Sequence, residues 1–146
     1  MKKKLMQLGS VSSGTMRYKD LIPCFESELA MLSKTALRKI HVAQKKWEKN
    51  EEIVYYYLNS LFDALNERCP LFCYFGASEG DGANYGCWFS RNALEDAISC
   101  REVVKVNAGE EYPEDWKNNY EYLVEVNDHG NVTIIDRKER IVLEVV

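Results

Sequence analysis

Apolar positions in the first half of the chain recur at helical intervals. Leu21, Phe25, Leu29 and Leu32 fall on one stripe close to the 3.6-residue period. Asp20 is placed to cap that helix, and Pro23 fits a first turn whose N–H groups have no helical partner. Leu37, Ile40, Gln44 and Trp47 make one face of a second helix, entered through Ser33 or Thr35 and reaching about Lys49. Asn50 is the expected cap of a third, with Glu51 and Glu52 in the first turn, where the helix dipole favours anions. Here Ile53, Tyr57, Leu61 and Ala64 run beside Val54, Leu58, Phe62 and Leu65. An apolar arc this wide marks a helix central to the core.

Beyond Arg68 the period shortens. Residues 71–75 and 85–89 are short aromatic-rich runs, and the turn-forming residues 77–84 between them predict a hairpin with a long loop. Ser90 is the expected cap of a short helix through Ala93, Leu94, Ala97 and Ile98. Strand patterns return at 103–106, 120–126, 132–135 and 141–146. Helices followed by strands predict an α+β fold: an N-terminal three-helix segment packed on a C-terminal antiparallel β-sheet of about five strands, with one short inserted helix. The small-residue run 9–15 makes residues 1–16 read as a flexible tail and 17–146 as a single α+β domain.

Composition narrows the class. With 46% apolar and 29% charged residues, 8 Gly and 3 Pro, collagen-like and low-complexity chains are excluded. At 146 residues the chain can bury a core without covalent staples. No run approaches the length of a membrane span, and the lysines at 2–4 are not followed by the apolar stretch of a secretory signal, so a cytoplasmic protein is expected. Charge is divided unevenly. Residues 1–49 hold eleven Lys/Arg against four Asp/Glu, a balance of +7, whereas residues 50–146 carry −11. A basic end can face nucleic acid, or it can neutralise the acidic remainder. The net charge of −4 favours the second reading, because a phosphate-binding domain is usually basic overall.

Candidate chemistry is sparse. Five cysteines form no disulfide framework, and Cys69-Pro-Leu-Phe-Cys73 lacks the second close pair of a structural zinc site. Cys87 and Cys100 would complete four thiolates only if the fold converged them, so reduced thiols acting as small apolar residues are expected. His41 and His129 have no evident nucleophile beside them, and turn chemistry accounts for residues 127–131. Glu79, Asp81 and Asn84 offer oxygens to a hard cation but lack the ladder of an EF-hand, and a hydrolase built on Glu79, Asp81 and His129 would need their convergence. The expectation is a protein with no cofactor, no metal and no enzymatic activity.

Two binding surfaces stand out instead. Tyr74, Tyr85 and Trp88 flank the acidic loop carrying Glu79 and Asp81, and aromatics beside polar loops suit protein contact, although about half of them should fill the core. With Asp128, His129 and Asn131 of the later turn they form the expected partner-binding set. The alternative is a nucleic-acid surface formed by Arg38, Lys45, Lys46 and Lys49 on one face of the second helix. The segment after it is acidic, then apolar, unlike a helix that reads bases.

Three stretches carry a likeness: residues 16–23 (MRYKDLIP), residues 74–82 (YFGASEGDG) with Gly86-Cys87-Trp88, and residues 126–133 (VNDHGNVT). Together they resemble small uncharacterised proteins encoded by bacteriophages and prophages. The resemblance implies an accessory protein in a bacterial cytoplasm that occupies a host protein, such as a nucleic-acid enzyme or a defence component, in an anti-defence or anti-CRISPR type of role. It supplies no catalytic residues.

Overall fold

A computed structural model describes residues 3–44 and 51–146. Lys45, Lys46, Trp47, Lys49 and Asn50 lie outside the described residues. The fold is α+β, but the chain divides into two compact units, Met1–Trp88 and Phe89–Val146, where one domain over 17–146 was expected.

In the N-terminal unit, strand β1 (Gly9–Ser12) precedes helices α1 (Tyr18–Leu32), α2 (Lys34–Gln44) and α3 (Glu51–Asn66), and strands β2 (Cys73–Ser78) and β3 (Asp81–Phe89) follow. The predicted stripes are the ones buried. Leu21, Phe25 and Leu29 of α1 meet Tyr57, Leu58, Leu61 and Leu65 of α3 in one core, with Leu37 and Ile40 of α2 packed against it. Phe25 sits at its centre: its ring lies edge-on to Phe62 and Phe75, each at 5.0 Å, and to Tyr85 at 5.8 Å. Ser33 caps α2, its hydroxyl accepting from Ala36 N–H at 3.1 Å. Asp20 does not cap α1. The helix starts at Tyr18, with Arg17 as the cap residue, and the Asp20 carboxylate accepts from the Thr15 hydroxyl and from Arg17 Nε. Pro23 therefore falls past the first turn, leaving the Lys19 carbonyl without its helical donor.

The expected flexible tail is in part a sheet strand. β1 pairs antiparallel with β3 (Gly9↔Cys87, Ser10↔Gly86) in a three-stranded sheet ordered β1-β3-β2. Met6 before β1 and Ser12 at its end are buried, and Met6 N–H donates to the Arg68 carbonyl at 2.8 Å. A glycine makes this approach possible: a Cβ at Gly86 would collide with the Gly9 carbonyl and the Ser10 Cα. Its smallness is invisible to a hydrophobicity pattern, which reads Gly-Ser-Val-Ser as linker. The hairpin loop is also shorter than expected. β2 and β3 extend to leave only Glu79 and Gly80 between them, so the turn formers 81–84 belong to a strand.

In the C-terminal unit, α4 (Arg91–Ser99) is capped by Ser90 as expected, its Oγ accepting from Ala93 N–H at 3.1 Å. Strand β4 (Val104–Asn107), the four-residue helix α5 (Trp116–Asn119) and strands β5 (Tyr122–Val126), β6 (Val132–Asp136) and β7 (Ile141–Val145) complete it. The sheet order is β4-β5-β6-β7. β5, β6 and β7 are antiparallel neighbours, but β4 runs parallel to β5 (Val104↔Leu123), so the sheet is mixed and not wholly antiparallel. A parallel neighbour needs a crossover, and residues 108–121 supply it, with Trp116 buried on Val106, Leu123 and Ile135.

Candidate functional site

The N-terminal unit holds five of the eight residues expected to bind a partner, and their environments separate them. Tyr85 belongs to the core, edge-on to Phe25 and Phe62. The Trp88 indole N–H donates to the Gly76 carbonyl at 2.9 Å, tying β3 to β2, and the ring is half-buried. Tyr74 is half-buried too, and burial followed by the nearby Glu79 charge pushes its phenol up. Only Glu79 and Asp81 stand exposed, at the hairpin tip. Of these rings only Tyr85 packs into the helix-facing core, beside Phe75 and Cys87; alternation puts Tyr74 and Trp88 on the opposite face of the hairpin. What the tip offers a partner is charge.

Asp81 is partly committed to its own turn, accepting from Ala83 N–H at 3.0 Å, and the Asn84 amide oxygen accepts from the Ser10 hydroxyl at 2.5 Å. Among the described residues no group of three or more His, Cys, Asp or Glu side chains is arranged to hold a metal ion.

Asp128, His129 and Asn131 lie in the β5–β6 turn of the C-terminal unit. Asn127 organises that turn: its side-chain oxygen accepts from the N–H groups of His129 and Asn131, each at 2.9 Å. Gly130 adopts φ +80°, the left-handed conformation the turn needs. Asp128 and His129 are exposed, while Asn131 is half-buried. Of the nucleic-acid set, Arg38 is exposed on α2, and its lysine companions are among the residues not described.

Polar contacts that the pattern did not signal fasten the three helices of the N-terminal unit. One oxygen of Glu26 (α1) accepts from the Tyr57 hydroxyl (α3) at 2.5 Å and meets His41 Nε2 (α2) at 2.7 Å. Burial and the adjacent carboxylate push the Tyr57 phenol well above its usual range. His41 and Tyr57, far apart in sequence, share one acceptor on Glu26, which no local motif announces.

The cysteines converge where spacing gave no warning. Cys69 follows the end of α3, Cys73 opens β2, and Cys87 lies on β3, wholly buried. The Cys69 and Cys87 sulfurs are 3.3 Å apart, and Cys69 and Cys73 are half-buried beside the core. Side-chain hydrogen bonding among the three sulfurs holds Cys87 the lowest of the three thiols, whereas the contact with Cys87, together with burial, pushes Cys69 and Cys73 up. Cys24 and Cys100 are exposed.

The C-terminal unit carries thirteen Asp/Glu against seven Lys/Arg, a balance of −6, and eleven of those carboxylates are exposed. Asp136 and Glu139 are paired, with Arg140 at 2.7 Å and Lys117 at 3.6 Å. The crossover alone presents Glu110, Glu111, Glu114 and Asp115. Comparison with protein-family models, with curated proteins and with solved structures finds no match to this chain. Among the described residues, no helix is long and apolar enough to cross a membrane.

Proposed function

We propose that this chain is a non-catalytic binding protein of a bacteriophage or prophage, which occupies a basic surface of a host protein through exposed carboxylates. The observation that carries the reading is the −6 balance of the C-terminal unit, with eleven of its thirteen carboxylates in solvent. A field of one sign steers a basic partner and repels nucleic acid itself. The basic groove of a nucleic-acid enzyme has the complementary chemistry, which fits an anti-defence role, and the likeness of residues 74–82 and 126–133 to phage-encoded proteins supplies the provenance. Asp128 belongs to that acidic surface, and Glu79 and Asp81 are exposed carboxylates of the N-terminal unit's own hairpin tip; Tyr85 serves the core.

The test is affinity capture from a bacterial lysate with the wild-type chain and with Glu110→Lys/Glu111→Lys/Glu114→Lys. These side chains are exposed, and Glu110 accepts from Asn107 three residues away in its own turn, so the triple variant should fold with at most a local change at 107–110. One basic partner retained by wild type at low salt, weakened as salt rises and lost by the variant, is the expected result. Equal retention by both proteins, or retention unaffected by salt, refutes the acidic surface as the docking site. A mobility shift of DNA or RNA by the wild-type chain would refute it in favour of the basic second helix.

A further inference from the structure

We propose that Cys69 and Cys87 are a thiol–disulfide site, closed into a bond by a low-molecular-weight disulfide that enters at the partly exposed Cys69. The sulfurs already lie 3.3 Å apart on segments separated by the whole β2–β3 turn, and a covalent S–S bond needs ~2.05 Å, so closure asks for a shift of about 1 Å. Exposure assigns the order of events. Cys69 is within reach of solvent, whereas Cys87 is sealed in the core and can only meet a sulfur brought to it by Cys69.

The exchange balances in two steps. Cys69 gives its proton to a buffer base as it attacks one sulfur of the small disulfide RSSR. The R–S–S–R bond breaks, RS⁻ departs, and Cys69 carries –SR. Cys87 then gives its own proton to the departed RS⁻ and attacks the Cys69 sulfur, expelling the second RS⁻, which takes up the proton the buffer received from Cys69. Two protein sulfurs have been oxidised by two electrons, and RSSR has been reduced to two RSH. The hydrogen bonds that keep Cys87 the most readily ionised of the cluster suit it to the resolving step, since the thiolate is the nucleophile. Cys73 remains a thiol, its Sγ donating to the Leu71 carbonyl at 3.6 Å.

The experiment incubates the full chain in glutathione buffers of increasing oxidised fraction, then counts free thiols and maps bonds by peptide mass spectrometry. A Cys24→Ser/Cys100→Ser variant, altered only at exposed positions, is treated in parallel. Both proteins should lose two titratable thiols, mapped to a Cys69–Cys87 bond that dithiothreitol reverses. Cys87→Ala should accumulate glutathione on Cys69, having lost the resolving sulfur. An intramolecular bond mapped to another pair, or a wild-type chain that keeps all five thiols or only stable glutathione adducts, overturns the proposal. Those wild-type outcomes decide the question even where Cys87→Ala fails to fold.

Discussion

Gly86→Ala should release the first strand from its sheet. The new methyl would occupy space already held by the Gly9 carbonyl and the Ser10 Cα, and both are backbone, so no side-chain rotation relieves the overlap. Forcing extra volume into a packed site costs about 1–3 kcal/mol. An escape route caps the cost: β1 can leave. Its departure exposes Met6, worth about 1.5–3 kcal/mol. It also breaks the hydrogen bonds from Met6 to Arg68 and from Gly14 to Ala83, each worth about 1 kcal/mol net. Freed backbone entropy offsets part of that loss. A net destabilisation of about 2 kcal/mol follows, and for a unit of this size it lowers Tm by about 8–16 °C. Thermal unfolding measures the size, and amide hydrogen exchange over residues 9–12 locates it. Gly82→Ala is the control, because a Cβ there meets nothing within 4 Å. Were Gly86→Ala to melt with wild type while the β1 amides stayed protected, the close approach would not be the reason for that glycine.

The remaining predictions concern the core and the acid limb. Phe25→Ala removes the ring at the centre of the aromatic cluster and should destabilise the N-terminal unit by about 3–5 kcal/mol in urea titrations. A loss under 1 kcal/mol would mean the cluster collapses around the gap. Asp136 accepts from the N–H groups of Lys138 and Arg140 and pairs with the Arg140 guanidinium. Those interactions, led by Arg140, lower its carboxyl from 3.8 to about 2. A folded value below the unfolded one gives stability that is fully present above pH 3.8 and disappears as pH falls through 2. Asp136→Asn should therefore be less stable than wild type at neutral pH, with the difference closing between pH 4 and pH 2. A gap constant across that range would show that the charge is irrelevant to the turn.

The helices were legible because each repeats its apolar residues at its own period, a local signal. Ser33, Ser90 and Gly130 were legible for the same reason, since a cap or a turn is chosen by residues within a few positions of it. What escaped the pattern depends on distant partners. β1 is a strand because Gly86 lets it in; β4 is parallel because residues 108–121 cross over; Cys69, Cys73 and Cys87 meet because a hairpin folds onto the end of α3. The candidate surface was half legible. Its charges, Glu79, Asp81 and Asp128, are exposed, but Tyr85 turned inward while Trp88 is half-buried against β2, since alternation fixes opposite faces without saying which one a neighbour covers.

The pairing of Gly9 with Cys87 also orders events on the ribosome. The first strand emerges long before its partner has been made, so α1, α2 and α3 can gather around Phe25 while that strand waits without a sheet. At four residues, two of them serines, it gives neighbouring nascent chains little to zip onto during the delay. Closure comes when the hairpin arrives, so this strand is locked in only after the three helices between it and its partner have been made.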